Sequence, residues 1–197
     1  MGTVKKSALS EFENIRRSGI LAIKLEKGDE SVWSKLTSGN DDILLVTKNG
    51  KSIRFSEKSV RPMGRNTMGV RGILVKKDVK DDRVIQMDVV GKTQKAEVLT
   101  IMEKGLGKRT VVEEFHIQGR GGQGVKVAEV TEKTGKVVMS QIIPDGCEEV
   151  IITSQKGQIV KLEINSIPRL SRATQGVILM RFSDKADHVA SAACIEK

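Results

Sequence analysis

Apolar residues along this chain come in short runs rich in Val, Ile and Leu, each closed off by Gly, Asn, Asp or Lys. Runs of that length and composition predict strands, since a helix needs a longer stretch with apolar positions three and four apart. Ile43 to Thr47 leads into Asn49-Gly50 and then Ile53-Arg54-Phe55. Asn-Gly is the strongest short hairpin signal, and it predicts a type I′ turn with positive φ at both residues. Val150 to Thr153, Lys156-Gly157 and Ile159 to Leu162 predict a second hairpin. Val98 to Ile101 opens a third, with two extra residues expected at its tip.

The runs repeat. Ser18-Gly19-Ile20 recurs as Met68-Gly69-Val70, Gln123-Gly124-Val125 and Gln175-Gly176-Val177, with the glycines 50, 55 and 52 residues apart. A second marker keeps phase with the first. Gly2-Thr3-Val4-Lys5-Lys6 recurs as Gly50-Lys51-Ser52-Ile53-Arg54 and Gly157-Gln158-Ile159-Val160-Lys161, and more loosely as Gly105-Leu106-Gly107-Lys108-Arg109. Units of ~50 residues with about four short strands each predict an all-β, propeller-like protein whose blades bury their faces on one another. The expected organisation is a single domain over 1–197: half a blade at 1–17, complete units at 18–67, 68–122 and 123–174, and half a blade at 175–197. Either the half-blades pair and close a ring, or the array was cut from a longer one. The exposed edge strand left by a free half-blade favours the cut.

Composition supports a folded chain: 38% of the residues are hydrophobic, and only 3 Pro stand against 19 Gly. With four Phe, Trp33 and no Tyr, the core is expected to be aliphatic. Lys and Arg number 34 against 25 Asp and Glu, a net charge of +9 that points to a polyanionic partner, nucleic acid ahead of an acidic membrane. No apolar run approaches the ~20 residues of a spanning helix, so no membrane partner and a cytoplasmic location are expected. Cys147 and Cys194 fit inert core thiols in a reducing compartment.

The phase of the charge says more than its sum. Arg65, Arg120 and Arg172 each stand four residues before a marker glycine, while the first unit has Ile15 there with Arg16 and Arg17 beside it. Arg61 and Arg169 lie upstream, and the hairpin strands end in Lys6, Arg54, Arg109 and Lys161. Equivalent positions in a repeat occupy equivalent places, so these cations are expected to band the array and bind the phosphates of a bent duplex. Lys5, Lys24 and Lys35 read as solvated surface lysines.

Other motifs fail on context. Gly119-Arg120-Gly121-Gly122-Gln123-Gly124 fits the dinucleotide fingerprint, but a strand-like alternation follows it where a helix should open. Gly107-Lys108-Arg109-Thr110 lacks the upstream glycine of a phosphate-binding P-loop and has Arg109 where a magnesium-binding hydroxyl belongs. His116 and His188 have no partners at metal spacing, so neither a metal nor a cofactor is expected.

Four stretches carry a resemblance: Gly2 to Phe12, Val60 to Gly72, Gly105 to Thr110 and Ser171 to Val177. Together they resemble the C-terminal domain of bacterial DNA gyrase A, over essentially the whole chain and close to that domain's distal two-thirds. The resemblance implies a β-pinwheel in which neighbouring blades exchange strands, and a basic rim around which duplex DNA is wrapped for negative supercoiling. It implies the remainder of gyrase A, together with gyrase B, as partners within an ATP-dependent type II topoisomerase of the bacterial cytoplasm and nucleoid. Two departures limit the transfer. The family's Gln-Arg-Arg-Gly-Gly-Lys-Gly box has only a degenerate copy here, Gln118-Gly119-Arg120-Gly121-Gly122-Gln123-Gly124, in which Gly119 and Gln123 replace two cations. Strand cleavage in the family uses a tyrosine, and this chain has none. The same domain of topoisomerase IV and a protein-binding propeller scaffold stand as alternatives.

Overall fold

Three hairpins set the architecture of the computed structural model, which describes residues 1–75, 81–91 and 95–196. They are β2 (Asp42–Thr47) with β3 (Lys51–Ser56), β6 (Glu97–Met102) with β7 (Leu106–Val111), and β10 (Cys147–Ser154) with β11 (Ile159–Glu163). After each hairpin the chain makes the same two moves. It first lays a two-residue strand along the outer strand of the preceding unit: β4 (Val70–Arg71) on β1 (Thr3–Val4), β8 (Val125–Lys126) on β3, and β12 (Val177–Ile178) on β7. It then returns to the first strand of its own hairpin, where β5 (Val84–Val90) pairs with β2, β9 (Val137–Ile142) with β6, and β13 (Val189–Glu196) with β10. The resulting sheets are ordered β5-β2-β3-β8, β9-β6-β7-β12 and β13-β10-β11, beside the ribbon β1-β4. They cut across the glycine-marked units of the sequence, because the edge strand of each sheet comes from the chain of the next. This is the strand exchange of a pinwheel. The ends of the chain do not pair with each other: β1 joins β4 and β13 joins β10.

The hairpin turns differ from the sequence expectation. Among the described non-glycine residues only Asp81 has positive φ, so Asn49 does not adopt the left-handed conformation of a type I′ turn. Gly50 alone does, at φ 76°, and its N–H donates to the Thr47 carbonyl at 3.0 Å. A three-residue loop ending in a left-handed glycine is the next commonest hairpin, and it needs only one such residue. The hairpin of β6 and β7 has no extra residues at its tip: Ile101 pairs with Gly107 across the same separation as Val46 with Ser52 and Thr153 with Ile159.

Both faces of β2, β6 and β7 are covered, and for that reason β2 and β6 read as apolar runs instead of alternations. Leu44 and Val46 of β2 face one way, packing with Val98 and Met102 of the next sheet and with Phe115 in the turn after it. Leu45 faces the other way, into a cluster with Ile53, Phe55 and Ile73. Leu99 and Ile101 meet Ile152 and Ile164 in the same manner one sheet on. Cys147 and Cys194 lie half-buried at the edge of that cluster, not in its centre and not joined in a disulfide. β9 lies beside both β5 and β13, so these returning strands line one side of the array. The exchanged strands β4, β8 and β12 hold the opposite sheet edges. Among the described residues no helix is long and apolar enough to cross a membrane.

The marker glycine is explained by the exchange. Gly69, Gly124 and Gly176 have φ of 90°, 71° and 82°, and a Cβ on any of them would come within 3.0 Å of a backbone carbonyl oxygen on the receiving strand, that of Val4, Ser52 or Gly107. Only glycine lets the two backbones meet this closely in that conformation. Gly28 also has positive φ, 83°, but open space around it. Gly124→Ala is therefore expected to lower unfolding stability by about 3 kcal/mol or more, and Gly28→Ala by only the ~1–2 kcal/mol of a left-handed alanine. Urea unfolding of the two variants checks the difference.

Candidate nucleic-acid interface

Three loops of equal length lead into the exchanged strands: 63–69, 118–124 and 170–176. Each is anchored at its start by one backbone bond, in which the N–H of Met63, Gln118 or Leu170 donates to the carbonyl of Lys6, Arg54 or Arg109. Arg65, Arg120 and Arg172 occupy the same point of each loop, so the structure brings the three to equivalent places along the exchanged edges. Their guanidinium groups also have work inside the protein. Arg120 donates to the carbonyls of Arg71 (3.2 Å) and Ser59 (3.0 Å), and Arg172 to that of Lys126 (2.9 Å). Arg71 and Lys126 are the corresponding residues of β4 and β8, so each arginine clasps the exchanged strand of the unit before it. Arg65 approaches Glu11 at 3.9 Å instead. Phase-locking thus reflects a joint between units as well as a cation that is exposed at Arg120 and half-buried at Arg65 and Arg172.

The loops are of two kinds, which sequence reading missed. Lys108 is fully buried, and its ammonium donates to the carbonyls of Ser171 (2.7 Å), Arg172 (2.6 Å) and Thr174 (3.0 Å) and to the Thr174 hydroxyl (3.2 Å). Glu114 closes the other side by accepting the Arg172 backbone N–H at 2.9 Å. Lys5 repeats the arrangement on the carbonyls of Arg65 and Ala22, both at 2.6 Å, with Glu11 accepting the Arg65 N–H at 3.2 Å. In the unit between, Ile53 replaces the lysine, Ser59 the glutamate and Gly122 the threonine, and that loop is held by its own Arg120 and by backbone bonds to Gly72 and Leu74. Lys5 is therefore no solvated lysine. The signal was present in the sequence as a doubled period, with Lys5 and Glu11 each 103 residues before Lys108 and Glu114. Burial pulls the Lys108 ammonium down to about 8, the Arg172 charge adds to that shift, and Glu114 opposes it.

The cations at the hairpin ends face inward to different degrees. Arg109 is 8% exposed, with its donors directed to Glu97 (2.9 Å) and the carbonyls of Ile167 (2.7 Å) and Asn165 (3.4 Å). Arg54 bonds Asp42 at 2.9 Å and the Val112 carbonyl at 3.1 Å, and Lys6 donates to the Glu57 carbonyl at 2.9 Å. These three tie a hairpin to the turn of the next unit, so Arg54 and Arg109 are not on the exposed edge with Arg120. Lys161 is exposed and paired with Glu149 at 2.9 Å. Arg169 is exposed and paired with Glu97. The position of Arg169 is held by Ile117 one unit earlier, and there the buried Oδ1 of Asp42 has no hydrogen-bond partner. Arg16, Arg17 and Arg61 are exposed and, among the described residues, make no ion pair or side-chain hydrogen bond.

The box-like loop lies on the preceding exchanged strand. The Gly121 N–H donates to the Gly72 carbonyl at 2.6 Å and the Gly122 carbonyl accepts from Leu74 at 2.8 Å, leaving Gly119, Arg120, Gly122 and Gln123 exposed and Gln118, Gly121 and Gly124 half-buried. The strand β8 follows it, with no helix, so the dinucleotide reading fails in the structure as well.

A family model described as the DNA gyrase C-terminal domain, beta-propeller, matches residues 2–33, 41–90, 96–138 and 148–196. The last three stretches each open near a hairpin and run through its exchanged strand toward its returning one. The DNA gyrase A protein of Staphylococcus epidermidis (strain ATCC 12228) is 40% identical over 183 residues, which cover 93% of this chain and 20% of that protein. Its counterpart in Staphylococcus aureus (strain NCTC 8325) is 41% identical over the same shares. This chain thus spans about a fifth of the curated relatives it matches. Two solved structures share the fold at 22% identity. The C-terminal domain of DNA topoisomerase IV aligns with TM-score 0.86 over 99% of this chain and 59% of its own. The DNA gyrase A C-terminal domain aligns with TM-score 0.77 over 98% and 62%.

Two outcomes follow from the lysine-locked loops. Lys108→Ile should cost about 2 kcal/mol or more, because four acceptors lose a charged donor. Adding Glu114→Ser and Thr174→Gly should cost less than the sum of the single changes by about 1 kcal/mol, since together they recreate the neighbouring loop; a mutant cycle by urea unfolding measures the coupling. Below pH 8 the native and unfolded chains both carry the Lys108 charge. Between about 8 and 10.5 the native state releases its proton first, so wild type should gain stability over Lys108→Met as pH rises through that window.

Proposed function

The chain belongs to the DNA gyrase C-terminal domain family, and on that premise we propose that it wraps duplex DNA along its exchanged-strand edges. The observation that carries the reading is the recurrence of Arg65, Arg120 and Arg172 at one point of three equivalent loops, with Arg16, Arg17 and Arg61 as further exposed cations. A guanidinium clasping a backbone carbonyl through one or two of its five donors keeps others for a phosphate. Cations spaced by the blade repeat follow a curve, so binding releases counterions only as the duplex bends. Bending a 20 to 30 bp site costs on the order of 1 to 6 kcal/mol, which such release can offset. Contacts of this kind read the backbone and not the base sequence.

The chain does no cutting in this reading. With no tyrosine of its own, it serves the ATP-dependent topoisomerase by presenting a wrapped segment to the remainder of gyrase A and to gyrase B, in the bacterial cytoplasm at the nucleoid. Arg169 and Lys161 join the rim once their exposed pairings with Glu97 and Glu149 open. Arg54 and Arg109 support it from within. The topoisomerase IV domain shares the fold, but the 40% sequence likeness is to gyrase.

Titration of a 30 bp duplex by fluorescence anisotropy tests this. With about six phosphates neutralised, affinity should fall roughly a thousandfold between 50 and 200 mM salt. Changing Arg65, Arg120 and Arg172 together to Gln should lower the log-log salt slope by about three, and Arg109→Gln should weaken folding while leaving the slope alone. A shallow slope in the wild-type chain would favour a protein-binding scaffold. A relaxed closed circle, resealed in the presence of the chain, should change linking number with wild type and not with the triple variant.

A further inference from the structure

A buried ammonium at the centre of a loop dictates which way the loop's peptides face. In a trans peptide the carbonyl and the N–H that follows it point in opposite directions. Lys108 draws the carbonyls of Ser171, Arg172 and Thr174 inward, at 2.7, 2.6 and 3.0 Å. The N–H groups of Arg172, Ala173 and Gln175 are thereby turned outward. An anion of the protein's own already sits on the first of them, since Glu114 Oε2 accepts the Arg172 N–H at 2.9 Å. Among the described residues, the N–H groups of Ala173 and Gln175 meet no acceptor. Ala173 is exposed and Gln175 half-buried. The loop without a lysine turns its peptides the other way. Gly121, which corresponds to Ala173, donates its N–H to the Gly72 carbonyl at 2.6 Å, and Ser59 stands where Glu114 would. Among the described residues no hydrogen bond reaches loop 63–69 or loop 118–124 from a later unit, so the outward face of such a loop stays open within the array.

We propose that the outward N–H groups of Ala173 and Gln175 form a site for one phosphate of the duplex, with Glu114 as an internal competitor holding the adjoining Arg172 N–H. Backbone N–H groups turned to one side of a loop make an anion-binding concavity. Each bond from such a group to a phosphate oxygen is charge-assisted. The ammonium behind the peptides adds to the positive field, and the Arg172 guanidinium, bonded to the Lys126 carbonyl through one donor, has others left at the same loop. A phosphate oxygen that displaces the Glu114 carboxylate gains a third N–H. Lys108 itself touches no ligand; it is a positioning residue that turns the peptides. Glu11, on the Arg65 N–H at 3.2 Å, repeats the competitor at loop 63–69. The inference rests on the wrapping reading and adds to it a contact made by main chain, which carries no base sequence information.

Amide NMR of the isotope-labelled chain tests the site. Adding the duplex should move the Ala173 and Gln175 N–H resonances downfield by more than that of Gly121, which is already bonded to Gly72. Inorganic phosphate without DNA should move the same two, and further in Glu114→Ser than in wild type. Movement with inorganic phosphate and none with the duplex overturns the proposal in favour of a free-phosphate site. Duplex titration of three variants, each checked for folding by circular dichroism, separates occupancy of the amide from charge. Exposed Glu113 supplies the control: Glu113→Gln and Glu114→Gln each remove one negative charge and keep an acceptor on the Arg172 N–H. Both should raise affinity by a similar factor. Glu114→Ser opens that N–H, so its affinity should exceed that of Glu114→Gln by about fivefold. Should Glu114→Ser fail to fold, the wild-type resonances still decide. Equal affinities for the two Glu114 variants, or duplex binding that moves Ala173 and Gln175 no more than Gly121, overturns the site while steep salt dependence still upholds wrapping. Absence of duplex binding instead overturns the wrapping reading on which the site rests.

Discussion

Everything in this molecule hangs on two backbones approaching closely enough for a two-residue strand to complete a sheet made from an earlier stretch of chain. The approach leaves no room for a Cβ, so glycine is required, and φ between 71° and 90° at Gly69, Gly124 and Gly176 makes the requirement stricter. Once the strand is seated, the carbonyl of Gly2, Gly50 or Gly105 accepts from the exchanged chain, through Gly72, Val127 or Leu179. Few hydrogen bonds are involved at each junction. Their effect is topological, since each unit is held by the one after it and the hydrophobic clusters between sheets form only when neighbours are in place.

Charge serves two purposes here, and position in the repeat separates them. Cations at the ends of the hairpin strands, such as Arg54 and Arg109, are aimed at carboxylates and at carbonyls of the next turn, where a lost partner would leave buried acceptors unpaired. Arg120 and Arg172, in the loops before the exchanged strands, use part of their donor set on backbone and keep the rest for other partners. Lys5 and Lys108 add a third use: an ammonium at the centre of a loop takes the place of a small hydrophobic core, and its glutamate and threonine neighbours change with it to Ser and Gly when isoleucine stands there instead.

The all-β class, the repeat and the hairpins were legible because apolar runs, turn residues and the glycine marker are local and periodic. The marker's cause was not legible, since the clash that enforces it lies on a strand some 70 residues earlier, as between Gly124 and Ser52. The type I′ turn expected at Asn49-Gly50 gave way to a loop with one left-handed residue because composition alone cannot count loop residues. Arg65, Arg120 and Arg172 were found as a set, and the sequence could not tell that Arg120 and Arg172 also clasp a neighbouring strand. Arg109 looked like an equivalent surface cation, but its burial depends on Glu97 and on residues 165–167, which no short window contains.

The exchange has a bearing on how the chain is made. Lys51 in β3 finds its edge partner in Lys126, 75 residues later, and the sheet of β6 and β7 waits in the same way for Val177. A nascent chain leaving the ribosome therefore carries an unfinished sheet at every moment, its last hairpin always one edge short until the following unit emerges. Non-local pairing of this kind slows folding and prolongs the exposure of sticky edges. Synthesis itself sets the order of completion, from the amino end forward, like tiles on a roof.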